Sequence, residues 1–202
     1  MPGQVNRGSA RITFVVHAAT AGTRVAAFPA GEPAAPGAVA DLAASPPLRA
    51  DRHRHAPDPA SASTCAALGR DGSPDRDLRD WDAGRWSGRT LGAVAAAEPA
   101  GLRSWLDDPA AAPHGGESLL DLLERVSGWL GGAGGGHTVA VCGPAVARAA
   151  VVLVLGAPPA GFWRIDAGPL TVTDLRGGPD RWTVRASGQP LRGAATESRG
   201  TR

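Results

Sequence analysis

The segment Arg11-Ile12-Thr13-Phe14-Val15-Val16-His17-Ala18-Ala19-Thr20 most limits what this chain can fold into. A continuous run of β-branched and apolar residues suits a strand covered on both faces, which predicts a parallel sheet packed between helices. Small residues follow and lead into a predicted helix. A histidine that ends such a strand stands at the carboxyl edge of the sheet, where open α/β sheets place ligands and chemistry. From the run alone, His17 can be a phosphoryl-accepting nucleophile, a base, or a hydrogen-bonded strand end.

The rest of the chain extends the pattern. A second buried strand is predicted over 137–142, with Pro144 in the first turn of an apolar helix over 146–155. Helices are also predicted over 61–68, 91–98, 100–106 and 117–130. In the last of these Leu119, Leu123, Val126 and Leu130 form one apolar stripe. Ser118 and Asp121 fit a capping box at its start. The Ala/Pro-rich stretch 28–58 carries one short predicted helix, at 38–44. Residues 77–88 mix charges with two tryptophans and are read as a loop over a site. A closing pair of strands is predicted over 170–175 and 181–185, around Gly177-Gly178-Pro179-Asp180. Strand–helix alternation with a late hairpin predicts a three-layer α/β/α sandwich with a mostly parallel central sheet. One domain over 10–186 is expected, with loose ends at 1–9 and 187–202.

Several function classes are excluded. The net charge is +2, and its 21 basic residues, all arginines, are scattered, so no nucleic-acid surface is expected. No apolar run approaches the roughly 20 residues of a membrane span, and the apolar run 12–16 is shorter than a signal-peptide core of ~7–15. Cys65 and Cys142 lie far apart without CxxC spacing, which fits a reducing compartment, and a cytoplasmic protein is expected. The Ala, Gly, Pro and Arg bias fits a GC-rich, bacterial genome. Asp51-Arg52-His53-Arg54-His55 is read as a solvated loop and not a metal site. The glycines at 131–136 precede a strand and lack a Gly-Lys-Ser/Thr ending, so they are read as a connector.

Taken in order, the motifs resemble the histidine phosphatase superfamily, with its phosphoglycerate-mutase-like fold. Val16-His17-Ala18-Ala19-Thr20 takes the place of the family's Arg-His-Gly strand end. The segment Leu78-Arg79-Asp80-Trp81-Asp82-Ala83-Gly84-Arg85-Trp86-Ser87-Gly88 is similar to its Leu-x-Glu-x-x-Phe-Gly-x-Trp-x-Gly. Pro113-His114-Gly115-Gly116-Glu117-Ser118 matches Pro-x-Gly-Gly-Glu-Ser. The stretch from Val139 to Arg148 is similar to Val-x-Val-Ser-His-Gly-Gly-Val-x-Arg, and Gly156-Ala157-Pro158 and Phe162-Trp163-Arg164 follow in order. The resemblance runs from Arg11 to Val184.

It implies a phosphomonoester hydrolase acting on a phosphorylated small molecule through a phosphohistidine, without metal or organic cofactor. His17 takes the nucleophile's position and Asp80 that of the acid that protonates the leaving oxygen. Thr20, Thr23, Arg24, Glu117 and Gly143 are candidate pocket residues. Three charged positions of the family are substituted: its two phosphate-binding arginines fall on Val16 and Ala60, and its second histidine on Gly143. One preorganised charge-stabilising donor is typically worth ~10²–10³ in rate, so activity is expected to be weak or lost. Arg24, Arg85, His114 and Arg148 are candidates to replace the missing charge. A pseudophosphatase that binds a ligand or protein is the alternative. The bland readings are a solvated loop charge for Asp80, a helix-start carboxylate for Glu117, a helix anchor for Arg148 and a small buried hydrophobe for Cys142. The sequence leaves the oligomeric state open.

Overall fold

The protein was analysed as a computed structural model, which describes residues 9–42, 48–69, 71–178 and 181–191. In chain order the elements are β1 (Ala10–Val16), α1 (Ala21–Arg24), β2 (Arg52–His55), α2 (Pro59–Ala67), β3 (Ser73–Pro74), α3 (Leu91–Ala97) and α4 (Pro99–Asp107). They continue with α5 (Leu119–Gly131), β4 (Gly136–Cys142), α6 (Pro144–Leu155), β5 (Thr171–Gly178) and β6 (Arg181–Pro190). The six strands form one sheet in the order β3-β2-β4-β1-β5-β6. The first four of that order run parallel, and β5 is antiparallel to both of its neighbours, β1 and β6. Among the described residues no helix is long and apolar enough to cross a membrane.

Alternation along β1 and β4 divides the core. Ile12, Phe14 and Val16 of β1 pack with Ala140 and Cys142 of β4 against Leu122 and Val126 of α5 and Ala149 of α6. Val15, Val139 and Val141 face the other way, onto Leu42, Cys65 and Leu68. Parallel pairing sets Val16 beside Cys142, and the amide of His17 donates to the Cys142 carbonyl at 3.0 Å. His17 and Gly143 therefore leave the sheet side by side at its carboxyl edge.

Helix starts follow the expected chemistry. Ser118 and Asp121 form the capping box of α5, and Asp58 caps α2 by accepting from the Ser61 amide at 2.8 Å. Gly156 adopts φ 59° and ends α6, a conformation that costs glycine little.

Three sequence expectations need correction. Residues 52–55 form strand β2 and not a solvated loop. Arg52 donates to the Thr138 hydroxyl and the Gly135 carbonyl, and the strand stays half-exposed because only the two-residue β3 lies outside it, so polar residues fit there. The tryptophan-bearing stretch 77–88 is irregular yet part of the core: Leu78, Trp81 and Trp86 are buried. The rings of Trp81 and Trp86 join Phe28, Trp105, Phe162 and Trp163 in one aromatic cluster, with centroids 4.6–6.0 Å apart. Finally, β6 continues through the stretch 187–190 assigned to a loose end, and Leu191 is buried against β1 and β4. The helix expected at 38–44 is a turn at 38–39 followed by a short 3-10 turn over Ala40–Leu42, and 43–44 lie outside the described residues, as do 1–8 and 192–202.

Candidate active site

The carboxyl edge of the four parallel strands opens into a cavity of about 340 Å³. His17 and Thr20 reach it from the end of β1, Asp58 and Ala60 from the turn after β2, and Pro144 from the start of α6. The stretch after β3 supplies Asp80, Trp81 and Asp82. Convergence of four strand ends on one hollow is the usual location for chemistry in such a sheet.

His17 is buried, and its Nδ1 lies 2.9 Å from the Ala18 carbonyl oxygen. A carbonyl only accepts, so Nδ1 carries the proton and Nε2 of the neutral ring keeps its lone pair. The Ala18 amide donates to the hydroxyl of buried Thr64 at 3.0 Å, and that hydroxyl donates to the Ala60 carbonyl at 2.7 Å. Thr64 thus locks the backbone behind the histidine, a positioning role the sequence did not reveal.

Asp80 accepts from the Trp81 amide at 2.9 Å. Burial pushes its carboxyl above the usual range, although His17 and that amide both act to lower it. The carboxyl fills the space that a side chain at position 143 would need, since a Cβ built on Gly143 would meet all three of its end atoms. Gly143→Ala should therefore displace Asp80, lowering both thermal stability and any His17-dependent activity. The same melting temperature and activity in G143A would show that this packing has no consequence.

The other expected pocket residues divide. Thr20 and Thr23 line the cavity, but each occupies the other in the α1 capping box: the Thr20 amide donates to the Thr23 hydroxyl at 2.9 Å, and the Thr23 amide donates to the Thr20 hydroxyl at 3.2 Å. Arg24 is exposed at the end of α1 and does not line the cavity. Glu117 is also outside it: its carboxylate accepts from Arg125 at 2.7 and 2.6 Å and from Arg79 at 3.2 Å. Gly143 borders the site as the N-cap of α6. Arg85 is tied to Glu98 and to the Pro113 carbonyl, while His114 and Arg148 line a second cavity next to the first. Burial lowers the His114 pKa, so this ring adds no full charge at neutral pH. Cys142 is buried and its thiol is pushed well up by burial, as expected of a packing residue.

The resulting charge distribution is one-sided. Among the described residues no arginine lines the cavity, whereas Glu32, Asp58, Asp80 and Asp82 all do. Glu32 accepts from the Gly22 amide at 2.9 Å and so is fixed at the rim. Of these four carboxylates, only Asp80 is a site candidate from the sequence; Glu32, Asp58 and Asp82 are not, because a loop carboxylate gives no local sign that the fold will turn it inward. Val16, where the family has an arginine, is buried among apolar side chains, and Ala60, also buried, is among the residues that line the cavity.

A family model for the histidine phosphatase superfamily (branch 1) matches residues 59–189. Over 66 residues the chain is 46% identical to a glucosyl-3-phosphoglycerate phosphatase of Mycolicibacterium vanbaalenii, covering 31% of this chain and 29% of that protein. A bifunctional protein of Mycobacterium tuberculosis is 39% identical over 66 residues, which are 33% of this chain and 18% of its own length. The chain thus matches less than a third of the length of these relatives. Among solved structures, a mycobacterial glucosyl-3-phosphoglycerate phosphatase with bound vanadate superposes with TM-score 0.74 at 19% identity, covering 89% of this chain and 98% of that one. An α-ribazole phosphatase of Shigella flexneri gives TM-score 0.72 at 13% identity, covering 89% and 96%. The order of strands, the histidine at the end of β1 and the family match over most of the chain agree, and the chain belongs to the histidine phosphatase superfamily.

Proposed function

We propose that the chain is a phosphomonoester hydrolase of low activity that acts through His17. The observation that carries this is the tautomer fixed by the Ala18 carbonyl, which presents Nε2 at the cavity beside a carboxyl whose pKa is raised. Nε2 attacks phosphorus as the bond to the leaving oxygen breaks, and Asp80 gives that oxygen its proton. Water then attacks the phosphohistidine, the P–N bond breaks, and the water's proton returns to Asp80. The substrate is a phosphorylated small molecule, the class named for the phosphatases it resembles, and the proposed place of action is the cytoplasm.

The low rate follows from the cavity wall. Phosphoryl transfer depends on cations that neutralise the equatorial oxygens, and here the wall carries carboxylates instead. The same observation favours a second reading, a non-catalytic pseudophosphatase that keeps the fold to bind a ligand.

Turnover of phenyl phosphate by the native protein and by His17→Ala separates the two. A signal that falls to the buffer baseline in H17A supports hydrolysis; equal signals from both mean that His17 performs no chemistry. Asp80 is a proton donor only below its raised pKa, so the native rate should decline as pH rises through that value. Asp80→Asn should slow phenyl phosphate by ~10²-fold or more, the usual scale of general acid catalysis. It should slow 4-nitrophenyl phosphate less, because nitrophenolate leaves without a proton.

A further inference from the structure

Next to the His17 cavity lies a second hollow of about 570 Å³, inside the size range of small-molecule sites. The two share Thr23, Asp80, Trp81 and Pro144 on their common wall. Trp105, Phe162 and Trp163 form its floor, and Leu91 and Leu106, both more than 40% exposed, stand at its rim.

One cation is set into this apolar wall. Arg148 lies with its guanidinium carbon 5.9 Å from the Phe162 ring centre, its Nε is buried without an acceptor, and it has no ion-pair partner among the described residues. The indole Nε1 of Trp105, itself nine-tenths buried, likewise lacks an acceptor. Arg79, Arg85, Arg89 and Arg125 are spent on Glu98 and Glu117. Half-buried cations and buried donors are costly to leave without counter-groups, and a ligand can supply them.

We propose that this hollow binds a small organic anion: a flat aromatic body laid against the wall that Trp81, Trp105 and Trp163 form together, with one carboxylate or similar group directed to Arg148. Charge complementarity sets the direction, because the His17 end is lined by Glu32, Asp58 and Asp82, whereas Arg148 lines the second hollow. The site does not depend on phosphoryl transfer at His17, so it stands or falls separately from the proposed hydrolysis.

The test is a titration of 2-naphthoate against 2-naphthalenemethanol, followed by the indole N–H resonances of the six tryptophans. Saturable shifts of Trp81, Trp105 and Trp163, with Trp129 and Trp182 unmoved, are expected for the acid. The neutral alcohol should bind about tenfold more weakly, and Arg148→Gln should weaken the acid by about tenfold, as for a lost charge-assisted hydrogen bond. Leu106→Glu places a repelling charge on an exposed rim residue without disturbing the core, and should weaken naphthoate severalfold while leaving the alcohol unchanged. His17→Ala should leave binding intact. No saturable shift up to 10 mM naphthoate, equal affinity for acid and alcohol, or naphthoate affinity unmoved by both R148Q and L106E would each overturn the proposal.

Discussion

Replacing Arg125 with methionine should cost about 3–5 kcal/mol of stability, the scale for leaving a buried charge without its partner. Arg125 and Glu117 are 8% and 6% exposed at their side chains and are joined by two hydrogen bonds of 2.7 and 2.6 Å. Arg125 also donates to the carbonyls of Asp77 at 2.7 Å and Arg79 at 3.0 Å, so one guanidinium ties α5 to the stretch that carries Asp80. Without it Glu117 keeps only Arg79, whose side chain is 45% exposed and therefore a weak partner. In thermal denaturation the melting temperature should fall on the order of 10 °C. The double variant Arg125→Met with Glu117→Met should recover part of that loss, because it removes the stranded carboxylate as well. A double variant less stable than R125M would show that the hydrogen bonds to the backbone, and not the buried charge, dominate.

A guanidinium placed at position 60 should raise oxyanion affinity by ~10–100-fold, the yield of one charge-assisted hydrogen bond of ~1.5–3 kcal/mol. Ala60, though buried, lines the same cavity as His17 near the start of α2, so the Ala60→Arg guanidinium is expected to extend from that wall into the cavity. The other two substituted positions are poorer places to rebuild. Val16 is packed in the core, where an arginine would bury a charge among apolar side chains. Gly143→His requires Asp80 to leave first, because the two occupy the same space. The gain in A60R should be larger when Asp58 is also made Asn, since that carboxylate would otherwise compete for the new cation. An A60R variant that binds vanadate no better than the native protein would mean that the surrounding carboxylates fully neutralise it.

What was legible in the sequence was what depends on local pattern. The apolar run of β1, the capping box at Ser118 and Asp121, and the Pro144 start of α6 each state their structure within a few residues. The neighbouring positions of His17 and Gly143 followed once both strands were read as parallel. Strand β2 was not legible, because its Arg-His-Arg-His pattern has no apolar face and forms only through pairing with β4. The tryptophans of 77–88 looked like loop residues, since no period marks an irregular segment that packs inward. Of the site, His17 and Asp80, the two residues that the ordered motifs name, do line one cavity. Its charge was not legible: Glu32 and Asp58 come from separate stretches brought to one cavity only by the fold, and Glu117 is drawn away from it by Arg79 and Arg125.

The central claim is that this cavity keeps a nucleophile and an acid but has lost the cations that hold a phosphoryl group. Calorimetric titration of vanadate into the native protein tests it most directly, because vanadate imitates the geometry of transfer. A dissociation constant of about 1 mM or weaker, worth ~4 kcal/mol or less, is the predicted result. Micromolar binding would contradict it, and would mean that a cation outside the observed lining closes on the oxyanion.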